Sequence, residues 1–297
     1  MTAVLTISLP DRGVLGVAGP EARAFLQGLV TNDVNRVHPA RAVYAALLTP
    51  QGKFLFDFLI ADDGSGGLLL ETDRTRLPDL AKRLAFYKLR SKVEIEDKSG
   101  RLAVTALIGE GAAARAKLSP GAGNAWRLDD TAIFVDPRLA GLGVRMIHPA
   151  DRPTPFAGDR TGAPEDYEAL RLALGVPEGG RDVLVDKSFI LESNFEELNA
   201  IDFNKGCYVG QELTARTKHR GTIRKRLFRV DVAGDLPPTG TPIMAGSAEI
   251  GEVRSGHGNT AIALIRTDRL EEANEKGDAL IAAGTALTPV KPDWVSF

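Results

Sequence analysis

Asn204-Lys205-Gly206-Cys207-Tyr208-Val209-Gly210-Gln211-Glu212-Leu213-Thr214-Ala215-Arg216 holds the only cysteine of a 297-residue chain. Gly206 and Gly210 give the backbone around the thiol conformations that residues with a Cβ avoid. Lys205 before it and Arg216 beyond it are cations that favour the thiolate, the reactive form. A cysteine of purely structural use behaves as a small hydrophobe in an apolar run. Cys207 instead sits among Lys205, Gln211, Glu212 and Arg216. Residue type and surroundings point to a chemically used thiol with Lys205 as its cation.

Working outward, a single cysteine excludes an intramolecular disulfide framework and suits a reducing compartment. With four scattered histidines, it also argues against a zinc or iron–sulfur centre held by this chain alone. Lys and Arg number 37 against 39 Asp and Glu, so the net charge of -2 gives no chain-wide field toward nucleic acid or membrane. Nothing before Val17 looks like a signal or transit peptide, and no run of about 18 apolar residues occurs. These features lead us to expect a soluble cytoplasmic protein. The length suits two or three domains.

Strand and helix signals alternate without a strict period. Strands are expected at 14–17, 42–48, 53–60, 68–70, 93–96, 102–108, 131–135 and 143–146. Helices are expected after Gly19-Pro20-Glu21 and over 77–87, 111–118 and 165–174. Residues 149–164, rich in Pro, Gly and Asp, read as a linker or exposed loop. From Leu227 the chain becomes short apolar runs broken by Gly and Pro turns, with one helix near 268–275, as in a small β barrel or sandwich. The whole reads as α+β rather than as a doubly wound sheet.

Three further features bear on chemistry. In Lys53-Phe54-Leu55-Phe56-Asp57-Phe58-Leu59-Ile60, Asp57 shares a strand face with Leu55 and Leu59. A carboxylate there needs a donor, which a ring N–H of a ligand would supply; a wet edge-strand face is the alternative. Tyr167, in the first turn of the 165–174 helix, is either a core aromatic or a flat platform for a ring ligand. Arg216, Lys218, His219, Arg220, Arg224, Lys225, Arg226 and Arg229 form a basic run that is either a phosphate- or carboxylate-binding stretch or a solvated strand face. Dinucleotide, P-loop, HExxH and GxSxG motifs are absent.

Lys205-Gly206-Cys207-Tyr208-Val209-Gly210-Gln211-Glu212 resembles the K-G-C-Y-x-G-Q-E signature of the YgfZ family of folate-binding proteins. That family is in turn similar to the T-protein of the glycine cleavage system, an aminomethyltransferase. Phe25-Leu26-Gln27-Gly28 through Thr31-Asn32-Asp33-Val34, Gly52-Lys53 with Asp57, Arg171-Leu172 to Gly175, and Gly251 to Gly256 extend the resemblance over nearly the whole chain. It implies two interleaved α+β subdomains, one ferredoxin-like, through residue 221, and a C-terminal β barrel over 222–297. It implies tetrahydrofolate, or another folate form, in a central cavity. It also implies a role in assembling or maintaining iron–sulfur clusters in client enzymes, including radical enzymes that thiolate tRNA.

Under this reading Cys207 and Lys205 carry the chemistry, and Asp57, Tyr167, Glu192, Tyr208, Gln211 and Arg216 contact folate. Tyr208, Gln211 and Glu212 also hold the loop. Two positions depart from the T-proteins: Phe56 stands where they carry the first of two adjacent aspartates, and Ala173 where they carry a pterin-gripping glutamate. Both argue against aminomethyl transfer. Relatives that place an aromatic near position 13 are matched here by Gly13, which offers no side chain. The expected partners are folate and iron–sulfur clients, with neither stable nucleic-acid binding nor a membrane. The alternatives are a folate-dependent one-carbon transferase acting on an amine, and a tRNA-linked binding module using the basic run.

Overall fold

The run from Phe54 onward is apolar on both faces, the pattern of a strand covered on each side. It forms Phe54–Asp62, in which every residue except Asp57 is buried. The computed structural model describes residues 3–221 and 223–296, without the side chain of Arg220. The described chain divides into two compact units: one holds the residues up to Pro50, Leu55–Tyr167 and Leu198–Gln211; the other holds Gln51–Phe54, Glu168–Glu197 and the residues from Glu212 onward.

The first unit contains two sheets. One runs in the order Val43–Leu48, Phe54–Asp62, Leu68–Asp73, Arg12–Ala18, Glu94–Asp97. The other runs Arg160–Thr161, Leu5–Ser8, Leu102–Ile108, Val144–Pro149, Thr131–Val135, Ala125–Leu128. The strand Leu5–Ser8 and its short parallel partner Arg160–Thr161 were not anticipated. The partner falls inside the Pro- and Gly-rich stretch read as a loop, and two residues leave no periodicity to detect. Helix Leu77–Lys88 has Pro78 in its first turn and buries Leu77, Leu80 and Leu84, the spacing of one helical face. Leu80 and Leu84 join Leu15, Val17, Leu26, Phe58, Ile60 and Leu70 in one core.

The second unit contains a closed barrel of six strands: Lys225–Val232, Thr260–Arg266, Ala248–His257, Pro242–Ala245, Leu280–Ala282 and Thr285–Val290. Phe228, Val230 and Val232 alternate inward on its first strand, joined by Ile243, Val253, Ala263 and Ile265. The same unit holds helix Gln211–Arg220 from its second residue on, in the stretch whose basic run has a solvated strand face as one reading. Glu212 in the first turn and its 2.8 Å pair with Arg216 one turn on support the helix. Only Thr214 is buried along 211–219, so no apolar stripe announces it.

Candidate functional site

Asp57 lies between buried Leu55 and Leu59 on the half-buried exception in its strand. Tyr44, on the neighbouring strand, donates its hydroxyl to Oδ2 at 2.7 Å, and Thr72 donates to the Asp57 carbonyl at 2.9 Å. Burial, then the Asp57 charge, pushes the Tyr44 hydroxyl well above its ordinary range, so it remains a proton donor. Arg76 lies over the Phe56 ring at 4.5 Å. Burial lowers its pKa, and the Asp57 carboxylate opposes that.

Behind Asp57 a chain of charges links the two sheets of the first unit. Arg12 donates to Glu71 at 2.9 Å, and Glu71 faces Arg145 at 3.2 Å. Asp136 receives Arg138 Nε and Nη2 at 3.0 and 2.8 Å, the Arg138 backbone N–H at 3.0 Å, and Arg145 Nε at 3.4 Å. Arg138 also lies 5.8 Å from the Tyr44 ring centroid, which closes the chain back to Asp57. Glu71 Oε2 and Arg145 Nη1 are buried without a hydrogen-bond partner among the described residues.

Tyr167 belongs to this network, which corrects its reading as an open platform. It is 8% exposed. Its hydroxyl accepts from Arg138 Nη2 at 2.8 Å and from Arg145 Nη2. The Arg145 guanidinium covers one ring face at 4.5 Å. A buried tyrosine needs a polar partner for its tip, and two guanidinium groups supply it. Gly13 is equally closed: a Cβ there would lie 2.7 Å from Leu77 Cδ1.

Burial alone would raise the Asp136 carboxyl, but Arg138 and then Arg145 outweigh it and hold it below the usual range. The unfolded chain therefore binds this proton at higher pH than the folded one. The stability it contributes is full above about pH 4 and is lost as pH falls toward the folded value. Urea midpoints followed from pH 6 to pH 3 are expected to fall less steeply in Asp136→Asn than in the wild type.

The Cys207 loop is seated on the segment after helix Ala22–Gln27. Lys205 is 7% exposed, and its Nζ donates to the carbonyls of Gln27, Val30 and Asn32 at 2.7, 2.6 and 2.9 Å. The Gln27 carbonyl is one that the helix end leaves without an intrahelical partner, and those of Val30 and Asn32 come from the segment that follows. Burial pulls its pKa down to about 8 against the charges of Asp33 and Asp202. All three of its hydrogens are engaged, so Lys205 anchors the loop. Asp202 caps the loop start, accepting from the backbone N–H groups of Asn204 and Lys205. Val209 N–H reaches the Gly28 carbonyl at 3.3 Å.

Cys207 itself is exposed. Tyr208 is buried, 5.2 Å from the Lys205 ammonium, and Gln211 Oε1 accepts from its backbone N–H at 3.3 Å. Both therefore brace the loop. Gly210 has φ +83°, which favours glycine, whereas a Cβ at Gly206 would meet nothing within 4 Å.

Glu192 and Arg216 lie in the second unit. Burial raises the Glu192 carboxyl, opposed by Lys225 and Arg226. Arg216 is mostly exposed and pairs with Glu212. Apart from Arg224, which precedes the strand, the rest of the basic run is divided between the helix and the first barrel strand, with Lys218 on Glu196, Arg226 on Glu197 and Arg229 on Asp231. Sequence reasoning missed Tyr44, Glu71, Asp136, Arg138 and Arg145. Their one available signal was charge inside apolar strands, as in Leu68-Leu69-Leu70-Glu71.

Among the described residues no helix is long and apolar enough to cross a membrane, and no group of three His, Cys, Asp or Glu could hold a metal ion. Residues 6–128 match the family model described as GCVT N-terminal domain, and residues 224–297 match CAF17, C-terminal beta-barrel domain. The mouse (Mus musculus) and human (Homo sapiens) proteins named iron–sulfur cluster assembly factor IBA57, mitochondrial, are 36% and 38% identical to the chain; the matches cover 96% of it and 84% of each relative. The glycine cleavage system aminomethyltransferase T of Bartonella henselae shares the fold, with a TM-score of 0.76 at 15% identity over 99% of this chain and 87% of that one. The expected T-protein-like α+β fold with a C-terminal barrel is the fold observed.

Proposed function

The chain belongs to the family of the iron–sulfur cluster assembly factor IBA57, and from that premise we propose that it helps deliver iron–sulfur clusters to client enzymes through the Cys207 thiolate. The observation that carries this reading is a solvent-exposed thiol on a loop pinned from beneath by the three carbonyl bonds of Lys205. Such a loop presents sulfur to another protein while holding its backbone fixed. The cluster is cargo: the thiolate donates an electron pair to one iron, and a client cysteine later replaces it, with no net redox change.

Folate is the second part of the proposal. A pterin presents N–H groups on its pyrimidine edge, and the half-buried Asp57 carboxylate, oriented by Tyr44, has the acceptor chemistry to receive them. Tyr167 does not fit as a stacking surface, since Arg145 already covers a ring face. Glu192, a half-buried carboxyl with a raised pKa, suits a hydrogen-bonding role toward a ring ligand. Tyr208 and Gln211 contribute by holding the loop, and Arg216 remains the candidate for the glutamate tail. Radical enzymes that thiolate tRNA are the first clients to assay.

Calorimetric titration with tetrahydrofolate and client activity in cells separate these parts. Asp57→Ala is expected to weaken folate binding about tenfold or more, the loss of one charge-assisted bond. Cys207→Ser is expected to keep folate affinity and abolish client activation. Unchanged affinity in Asp57→Ala would remove the folate assignment. Turnover of an amine with tetrahydrofolate that survives Cys207→Ser would move the chain to the one-carbon transferases.

A further inference from the structure

Helix Leu77–Lys88 ends in a surface unlike any other on the described chain. Its last turn and the following residues carry Phe86 at 74% and Leu89 at 87% exposure, the two most exposed large hydrophobic side chains described. Around them are Lys82, Arg83, Lys88, Arg90 and Lys92, with no acidic residue between Asp79 and Glu94. A chain with net charge -2 thus concentrates five cations in eleven residues. None of the five side chains has an ion-pair partner among the described residues, whereas Arg216, Lys218, Arg226 and Arg229 each do; the one carboxylate at this end, Glu21, accepts from the Lys92 backbone N–H at 2.9 Å.

The geometry adds a second observation. Lys82 and Phe86 are one turn apart on the helix, and Leu89 is the first residue past its end. Leu89 ends the helix at φ +46°, ψ -109°, a conformation in which glycine is favoured and a leucine is strained. Strain and exposure of a large apolar side chain are both costly to the folded state, and such a combination marks positions held for function.

We propose that this helix end is a docking surface for an anionic phospholipid bilayer. Phe86 and Leu89 enter the headgroup region, and the five cations meet lipid phosphates. Aromatic and leucine side chains in a collar of Lys and Arg are what an interfacial anchor requires. Two protruding side chains are a small area for a specific protein interface, which buries about 800 Å² per partner. A fluid bilayer needs no matching groove. The surface lies apart from Asp57 and Cys207 in sequence and uses neither, so its failure leaves the proposed function standing.

Co-sedimentation of the full chain with vesicles of phosphatidylcholine, alone or mixed with phosphatidylglycerol, tests this. The wild type is expected to bind only the mixed vesicles and to lose binding as salt rises. Lys88→Glu with Arg90→Glu is expected to abolish binding, and Phe86→Ser to weaken it about tenfold. Leu89→Gly is expected to weaken vesicle binding while thermal stability stays level or rises, because glycine relieves the strained φ; a merely structural Leu89 would give the reverse. Equal sedimentation with both vesicle types, or unchanged binding in these variants, overturns the proposal. Retention on polyglutamate without vesicle binding also overturns it and assigns the surface to an acidic protein.

Discussion

Arg145→Met is expected to lower the unfolding free energy by about 3–5 kcal/mol, the loss typical when one partner of a buried charge pair is removed. Arg145 is 2% exposed and joins Glu71, Asp136 and Tyr167 across the two sheets of the first unit. Without it, Glu71 keeps Arg12 as its one ion-pair partner among the described residues, where its Oε2 is already without a hydrogen bond. Tyr167 loses the cation over its ring. Lysine at 145 does not restore the network, because one ammonium cannot reach three partners that a planar guanidinium spans. Combining Arg145→Met with Glu71→Gln is expected to recover part of the loss, since the uncompensated charge goes with its partner. Urea unfolding at pH 7 measures all three variants. A loss under about 1 kcal/mol for Arg145→Met would mean that the site readily rehydrates.

The second large effect is expected at Lys205. Lys205→Met removes three bonds from a buried ammonium, and about 3 kcal/mol of stability is expected to go with them. Lys205→Arg is expected to rescue little, because the three carbonyls converge on one nitrogen and a guanidinium distributes its hydrogens in a plane. The functional readout is the loop itself: limited proteolysis within 204–210 is expected to accelerate in both variants while the tetrahydrofolate affinity proposed to rest on Asp57 changes less. If Lys205→Met leaves stability and proteolysis unchanged, the loop is held by the bonds of Asp202, Val209 and Gln211 without it.

Much of the fold was legible locally. The strand at Leu102–Ile108 and that at Thr131–Val135 have the expected bounds, and helix Pro164–Ala173 begins one residue early. Their signals are short-range: apolar runs, a proline in the first turn, a glycine past the end. The helix Gln211–Arg220 was not legible, since its support is charge pairing rather than a buried stripe. Around the site, Asp57 and Cys207 stood out as polar groups in the wrong company. Tyr44, Glu71, Asp136, Arg138 and Arg145 could not, because each is ordinary until strands far apart in sequence bring them together.

By itself the sequence determined the α+β class, the C-terminal run of barrel strands, and which carboxylate and which thiol were out of place. Those are consequences of periodicity and of single residues in poor surroundings. Only the tertiary structure decided what the surrounding side chains do. It turned Tyr167 inward onto two arginines and Lys205 onto three carbonyls, because a buried hydroxyl or ammonium takes the nearest complementary groups, and these come from segments that sequence adjacency does not reveal.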